Sequence, residues 1–391
     1  MLMHCRFTLL LLLFAVAGSA MAYPEYRVTV VGPADSRPTG INQIGVVVGY
    51  YTVGTDRNRA FLNRGNGLVD LGTLTGTQSN AVAINDRGEV LGNWRTSAGQ
   101  WRGFIYSCGK ARDIGAIPGT NTTYIDINNA GNVIVRGQVS QSGNEFSYLR
   151  TRAGRFTNLG NLPGMWPGQG EPRVNQAFAL NNRNQVTGQS GPMTVPDDSY
   201  LAYIWIQGAL RNLGDLGYAP NVGNDINDHA QITGSAALQT GTYNAVAFLY
   251  AAGRMVSLDN RPATEEKYSS GNGINNRGYV VGSSNHLSGF IWRGRRMQSL
   301  NALIDPRFGW DITDPRAIND AGQIAAVATR NGVQYTVRLD LIRPISDPPP
   351  ALGPDPEAAM SAQSAAPGED ATMAAAEAAA QAREVAQPVA Q

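Results

Sequence analysis

The chain has 391 residues, of which 45 are glycine and only 16% are charged, and its formal net charge is +1. So small a net charge gives no electrostatic footprint for nucleic acid, and we exclude a nucleic-acid partner. Glycine-rich segments between short runs of Val, Ile, Phe and Tyr indicate an all-β protein with many turns.

The first residues have the features of a secretory signal peptide. Arg6 supplies a positive charge, residues 9–16 are an unbroken apolar run, and residues 20–22 read Ala-Met-Ala, which fits a cleavage site. We predict that the mature chain begins near Tyr23 and is secreted, either to the periplasm or out of the cell. The apolar run is too short to span a bilayer comfortably, so no membrane anchor is predicted.

Cleavage leaves a single cysteine. Cys5 belongs to the signal peptide, and Cys108 then has no intramolecular disulfide partner. We predict that Cys108 is a small buried apolar residue, the alternative being a thiol that pairs with another chain.

An Ile-Asn or Leu-Asn step, followed by a turn and a β-branched run, recurs seven times. These repeat asparagines are Asn42, Asn85, Asn128, Asn181, Asn227, Asn275 and Asn319. Asn can hydrogen-bond the backbone two residues later in an Asx turn, and a following Gly supplies the positive φ that closes a tight hairpin. We interpret the repeat asparagines as structural residues of hairpins, with a ligand contact at each as the alternative.

Three further elements follow the asparagines in a fixed order. A short strand that ends in Gly comes first, then a small-aromatic-aliphatic step, and then a polar-Leu-Gly step such as residues 70–72. The aromatic residues of the middle step, which we expect in the core, are Phe61, Phe104, Tyr148, Tyr203, Phe248 and Phe290. A unit of roughly 45 residues with four short strands has the size of one β-propeller blade.

The repeats predict that residues 23–343 form a seven-bladed β-propeller of four-stranded blades, with six blades as the alternative. The last repeat lacks a polar-Leu-Gly strand, whereas residues 27–32 form such a strand with no repeat before it. We predict that this N-terminal strand completes the last blade and closes the ring, which removes two exposed sheet edges. Residues 1–22 are the predicted signal peptide. Residues 344–391, rich in Ala and Pro, are predicted to be a disordered tail.

The combination of these elements resembles the HAF family of extracellular repeats, whose units contain a His-Ala-Phe step. Residues 81–92 and 70–74 fit well to the family's Ala-x-x-Ile-Asn-x-x-Gly-x-Val-Val-Gly and Asp-Leu-Gly-Thr-Leu patterns. At the family's His position this chain has Arg59, Arg102, Val246 or Ser288. The resemblance implies an extracellular location and a repeat architecture rather than an activity.

Motifs for catalysis are missing from the sequence. It contains no HExxH, G-x-S-x-G or phosphate-loop pattern, and neither His229 nor His286 has an evident nucleophile beside it. Trp166, in the long connection after Asn128, is the candidate ligand-binding residue, because its ring suits stacking on a sugar. The alternative places Trp166 against the adjacent blade.

The sequence therefore predicts a secreted, non-enzymatic, monomeric binding scaffold whose partner is an unknown protein or a glycan. No metal site and no cofactor are predicted. The alternative is a secreted polysaccharide hydrolase or lyase that uses carboxylates on one face of the propeller. That alternative requires two or more acidic residues that converge in the central pocket.

Overall fold

A computed structural model describes residues 24–139, 144–162, 173–192, 200–238, 244–259, 261–262 and 266–343. These residues form β-strands and the short 3-10 helices Leu300–Ala302 and Pro306–Phe308, without an α-helix. None of the described helices is long and apolar enough to cross a membrane. The predicted signal peptide, the predicted tail and Trp166 lie outside the described residues.

Consecutive strands pair in antiparallel groups of four, which follow one another along the chain after β1 (Tyr26–Ala34). The first two groups are β2 (Ser36–Ile41), β3 (Val47–Val53), β4 (Arg57–Asn63) and β5 (Leu68–Gly72), then β6 (Gln78–Ile84), β7 (Val90–Arg95), β8 (Trp101–Ser107) and β9 (Lys110–Gly115). The next two are β10 (Asn121–Ile127), β11 (Val133–Gln138), β12 (Glu145–Arg150) and β13 (Phe156–Asn158), then β14 (Arg173–Leu180), β15 (Val186–Pro192), β16 (Leu201–Ile206) and β17 (Ala209–Asn212). Two more are β18 (Asn221–Ile226), β19 (Ile232–Ala237), β20 (Ala245–Ala251) and β21 (Arg254–Ser257), then β22 (Ser269–Ile274), β23 (Val280–Ser284), β24 (Ser288–Arg293) and β25 (Arg296–Ser299).

The final sheet brings together the two ends of the described chain. β26 (Asp311–Ile318), β27 (Ile324–Arg330) and β28 (Val333–Leu341) form a meander, and β1 pairs antiparallel with β28. The register places Tyr26 opposite Leu341 and Val30 opposite Val337. The N-terminal strand that the sequence singled out therefore covers the edge of β28.

The hydrophobic core lies between neighbouring sheets. One cluster contains Val48 and Leu62 of the β2–β5 sheet together with Val90 and Phe104 of the β6–β9 sheet. The aromatic residues of the repeated small-aromatic-aliphatic step are all buried except Tyr148, which is half-buried. Their burial confirms that this step belongs to the core. One parallel bridge between β12 and β14 additionally joins their two groups into an eight-stranded sheet.

The glycine at which the sequence predicted the second strand to end lies inside that strand, since β19 continues past Gly234 and β23 past Gly282. At these glycines two backbones approach closely. A Cβ atom at Gly234 of β19 would overlap the carbonyl oxygen of Val222 in β18. One at Gly282 of β23 would overlap that of Ser270 in β22. Only glycine leaves room for the paired strand, so the repeated Val-Gly pattern reflects packing.

Cys108 is exposed, which corrects the prediction that it is buried. It lies in the turn between β8 and β9, where Cys108 and Gly109 have positive φ values of 50° and 79°. Two consecutive positive φ values are those of the tight turn that matches the right-handed twist of paired strands. The residue at the tip of such a hairpin projects into solvent.

Candidate ligand-binding cavity

The first strand of each group of four faces a common cavity, to which residues of all of these strands contribute. We call them the inner strands; they are β2, β6, β10, β14, β18, β22 and β26. Each inner strand ends one residue before a repeat asparagine, and the turn that follows leads to the next strand of the same sheet.

Every repeat asparagine is buried. In the fifth repeat, Asn227 Oδ1 accepts from the backbone N–H groups of His229 at 3.0 Å and Gln231 at 2.9 Å. This is the geometry of an Asx turn. A residue with positive φ closes each turn; it is glycine in most repeats, but Asn184 (61°) and Ala230 (56°) take that conformation in the fourth and fifth.

Each repeat asparagine also donates from Nδ2 to the backbone carbonyl of the repeat asparagine in the next sheet. The distances are 3.3 Å from Asn42 to Asn85, 3.1 Å from Asn85 to Asn128, 3.1 Å from Asn128 to Asn181, 3.0 Å from Asn181 to Asn227, 2.9 Å from Asn227 to Asn275 and 3.0 Å from Asn275 to Asn319. Asn319 donates in turn to Asn42, also at 3.0 Å. The series thus returns to the residue where it begins.

A second series of hydrogen bonds involves the residue after each repeat asparagine. The backbone N–H of that residue donates to the side-chain oxygen of its counterpart in the next sheet, at 2.8–3.0 Å. The residues concerned are Gln43, Asp86, Asn129, Asn182, Asp228, Asn276 and Asp320. All of these side chains carry an oxygen that accepts such a bond, so the two series together fasten neighbouring sheets at the level of the turns.

Each inner strand contains a β-bulge three residues before its repeat asparagine. The bulged residues are Thr39, Val82, Ile125, Phe178, Asn224, Asn272 and Arg316. A bulge leaves one residue unpaired and re-aims its side chain. All of the bulged residues line the common cavity, which has a volume of about 220 Å³.

A wider volume of about 430 Å³ adjoins the first and shares five of the bulged residues with it. Its wall also includes Arg37, Pro38 and Tyr50. We call the two volumes together the central cavity. Its size falls in the range of small-molecule sites, roughly 300–1,000 Å³.

The bulged residues divide the wall of the central cavity into two arcs. The apolar arc is Val82, Ile125 and Phe178, and the polar arc is Asn224, Asn272, Arg316 and Thr39. The guanidinium of Arg136 lies over the Phe178 ring, 5.1 Å from its centroid, so a cation covers one face of that ring.

The amide groups of the polar arc have a fixed orientation. Asn224 Nδ2 donates to the backbone carbonyl of Gly271 at 2.9 Å, and Asn272 Nδ2 donates to that of Pro315 at 3.0 Å. Because a carbonyl can only accept, the nitrogen of each amide faces the next sheet. The amide oxygens are then the atoms that can accept from a ligand.

The two arginines of the central cavity differ in their surroundings. Arg316 binds Asp314, with Nε–Oδ2 and Nη2–Oδ2 distances of 2.7 and 2.5 Å, which fixes the plane of its guanidinium. Arg37 is exposed and forms no ion pair with any residue in the described part of the chain.

Two carboxyl groups, those of Asp126 and Asp225, line the narrower part of the central cavity. Each accepts from the N–H of the following residue and from an N–H of the next sheet, all at 2.8 Å. Burial raises the pKa of each carboxyl to about 7, and the backbone donors oppose that rise. Both groups therefore exchange protons near neutral pH.

We expect the folded chain to lose stability as the pH rises from about 5 to about 8. With a pKa of about 7, folded Asp126 and Asp225 keep protons that the unfolded chain has already released. Raising the pH therefore favours the unfolded state until both groups are ionised. Urea denaturation at each pH measures this loss. Asp126→Asn and Asp225→Asn should each reduce this loss of stability. The same pH dependence in the wild type and both variants would contradict the raised pKa values of the two aspartates.

Of the residues that the sequence singled out, Trp166 lies outside the described residues, so its binding role stays a prediction. The backbone N–H of His229 belongs to the Asx turn above, and His286 lines a separate cavity of about 340 Å³. Among the described residues, no group of three or more His, Cys, Asp or Glu side chains could hold a metal ion.

The bulged residues are not among those predicted from the sequence. They occupy the position three before each repeat asparagine. Six residue types occur at this position in the seven repeats, against four at the preceding position and three at the following one. This higher variability was the signal that could have identified them.

Neither a family model nor a curated protein matches the sequence. Among solved structures, the β-propeller domain of the Trilobed protease from Pyrococcus furiosus, which has an open velcro topology, is 9% identical with a TM-score of 0.50; the match covers 80% of this chain and 99% of that one. YCF48 bound to a D1 peptide is 10% identical with a TM-score of 0.49, over 84% and 99% of the chains. A gluconolactonase from Xanthomonas campestris is 10% identical with a TM-score of 0.42, over 82% and 93%. At such identities the likeness concerns the fold alone, and the chain has a β-propeller fold.

Proposed function

We propose that the chain is a secreted, monomeric binding scaffold, a closed seven-bladed β-propeller that holds a ligand in its central cavity. Each group of four strands is one blade, and β1 is the outer strand of the seventh. Hydrogen bonds from Asn319 to Asn42 and from Asp320 to Gln43 support closure, because they link the last inner strand to the first. The predicted signal peptide supports secretion.

The set of bulged residues is the observation that carries the binding function. One comes from each inner strand, all line the same cavity, and they differ in size and polarity. A position that only packs between equivalent neighbours needs the same kind of residue in every repeat. Variation at the cavity wall of a regular scaffold suits a ligand that lacks the symmetry of the ring.

Phe178→Ala tests the cavity as the binding site. A thermal-shift screen against oligosaccharides and peptides identifies a ligand, since a ligand at a hundredfold over its Kd stabilises the fold by about 2.7 kcal/mol. We expect Phe178→Ala to weaken that ligand's binding about tenfold or more, because the ring forms part of the apolar arc.

Phe156→Ala is the matched control. Phe156 is 44% exposed, lies outside the central cavity, and like Phe178 has an arginine over its ring, here Arg150 at 5.6 Å. This variant should bind as the wild type does. Unchanged binding by Phe178→Ala, or equal losses in the two variants, would place the ligand elsewhere.

Asp126 and Asp225 favour a second candidate function, cleavage of a polysaccharide. Each of these carboxyl groups has a pKa raised to about 7, which suits a general acid or a general base near neutral pH, and the two line one cavity. Each of these groups already accepts two backbone N–H bonds, however, and one of the two fastens the next sheet. We therefore propose binding without turnover. If the wild type releases cleavage products from a polysaccharide and Asp126→Asn abolishes that release, the enzymatic function is favoured instead.

A further inference from the structure

We infer that the ligand of the central cavity is an acidic saccharide, a hydroxylated sugar ring whose carboxylate is bound by Arg37. This inference rests on the proposed binding function and adds the chemical class of the ligand. Three features of the wall carry it: a cation that forms no ion pair with a described residue, hydrogen-bond acceptors that come from several strands, and aromatic rings.

Arg37 provides the preference for an anion. It is exposed on the wall of the wider volume, and no described residue forms an ion pair with it. Asp314 already balances the charge of Arg316. A guanidinium binds a carboxylate through two parallel charge-assisted hydrogen bonds, so Arg37 is suited to an acidic group.

The positions of Asp126 and Asp225 orient such a ligand. Asp126 and Asp225 line only the narrower volume, whereas Arg37 lines only the wider one. Arg37 attracts an anionic group to the wide end, and the two aspartates, when ionised, repel it from the narrow end. The carboxylate of the ligand therefore lies at the wide end, and its neutral part extends toward the narrow end.

The acceptors of the polar arc fit hydroxyl groups. The amide nitrogens of Asn224 and Asn272 are used by the next sheet, which leaves two amide oxygens. Thr39 Oγ1 donates to the carbonyl of Ala81 at 3.0 Å, so its oxygen can also accept. Acceptors that are spread around an arc match hydroxyl donors spread around a sugar ring, whereas phosphate ions and simple carboxylates have no comparable set of donors.

Aromatic side chains complete the wall. Phe178 and Tyr50 both line the wider volume, beside the cation and the acceptors. Aromatic rings pack on apolar ligand surface, and Tyr adds a hydroxyl at its tip. A sugar ring has apolar C–H faces and a polar rim, which is the combination that these arcs offer.

Calorimetric titration of the purified full-length chain with trigalacturonate tests the inference, and the methyl ester of the same trisaccharide is the matched neutral ligand. We expect the ester to bind about tenfold or more weakly than the acid, because it lacks the charge that Arg37 recognises. Arg37→Gln should lower the affinity for the acid to that for the ester, and it should leave the affinity for the ester unchanged. Arg57→Gln, which removes an exposed arginine of β4 outside the cavity, should change the affinity for neither ligand.

The results separate this inference from the proposed function. If the acid and the ester bind with equal affinity and Phe178→Ala abolishes the binding of both, the preference for an acidic ligand is wrong. The central cavity then remains the binding site. Absence of binding at about 1 mM by the trisaccharides of galacturonate, glucuronate and mannuronate would also overturn the inference. Binding of the acid that neither Arg37→Gln nor Phe178→Ala weakens would overturn both.

Discussion

Replacement of Asn227 by alanine should lower the free energy of unfolding by about 3–5 kcal/mol. The buried side chain accepts from the backbone N–H groups of His229 and Gln231 and donates to Gln231 Oε1 at 2.7 Å and to the carbonyl of Asn275 at 2.9 Å. Alanine removes this partner from the buried N–H and Oε1 of Gln231 and from the partly buried N–H of His229, whereas the Asn275 carbonyl still accepts from the Gly278 N–H. Each buried group left unpaired costs about 1–3 kcal/mol. Urea denaturation measures the loss.

Two further variants show whether the hydrogen bonds cause the effect. Asn227→Asp keeps an acceptor for the turn but directs an oxygen at two other acceptors, so we expect a loss at least as large. Asn66→Ala, in the exposed turn between β4 and β5, should change the free energy of unfolding by less than about 0.5 kcal/mol. If Asn227→Ala were as mild as Asn66→Ala, the repeat asparagines would not fasten the sheets.

Deletion of β1 should have a still larger effect and prevent folding to a soluble monomer. β1 pairs with β28 from Tyr26–Leu341 to Ala34–Tyr335. Its removal exposes the edge of β28, and an unpaired strand edge promotes association with other chains. Size-exclusion chromatography of the truncated chain should show aggregates, and a soluble monomer that melts like the wild type would contradict the role of this strand.

A point variant tests the same contact without exposing the edge. Tyr26 is only 1% exposed and belongs to the core cluster that also contains Ile304 and Leu339. Tyr26→Ala should lower the free energy of unfolding by about 3–5 kcal/mol, because it removes a large buried ring. Val30→Ala, on the same strand but 48% exposed, is the control and should have a small effect.

Much of the fold could be predicted because its signals are local. The Asn-x-x-Gly turns place a positive φ at residues such as Gly45, and strand length and glycine spacing follow from the repeat. The N-terminal strand could be paired with the last sheet because one repeat lacked a strand that the N-terminus had in excess. The structure places that strand beside β28.

The candidate site could not be predicted in the same way, because it depends on how strands from all repeats come together. Asp126 and Asp225 stand in sequences that resemble any half-exposed strand, and only the packed sheets enclose them. Bulges at Phe178 and Arg316 change which side chains face the cavity, and strict alternation along a strand does not reveal them. The prediction that Cys108 is buried was wrong for a related reason, since the exposure of this residue follows from the turn type.

A thiol placed at Val82 gives the most direct test that the ligand occupies the central cavity. Val82 is a bulged residue of the apolar arc, and Val82→Cys in a Cys108→Ser background is a small change that should preserve binding of the ligand found in the screen. Alkylation of the new thiol with N-ethylmaleimide then fills part of the cavity. We predict that alkylated Val82→Cys protein loses the ligand, whereas alkylated Val53→Cys protein, modified at a residue that is 44% exposed outside the cavity, retains it. Unchanged affinity after alkylation at Val82 would contradict a ligand site in the central cavity.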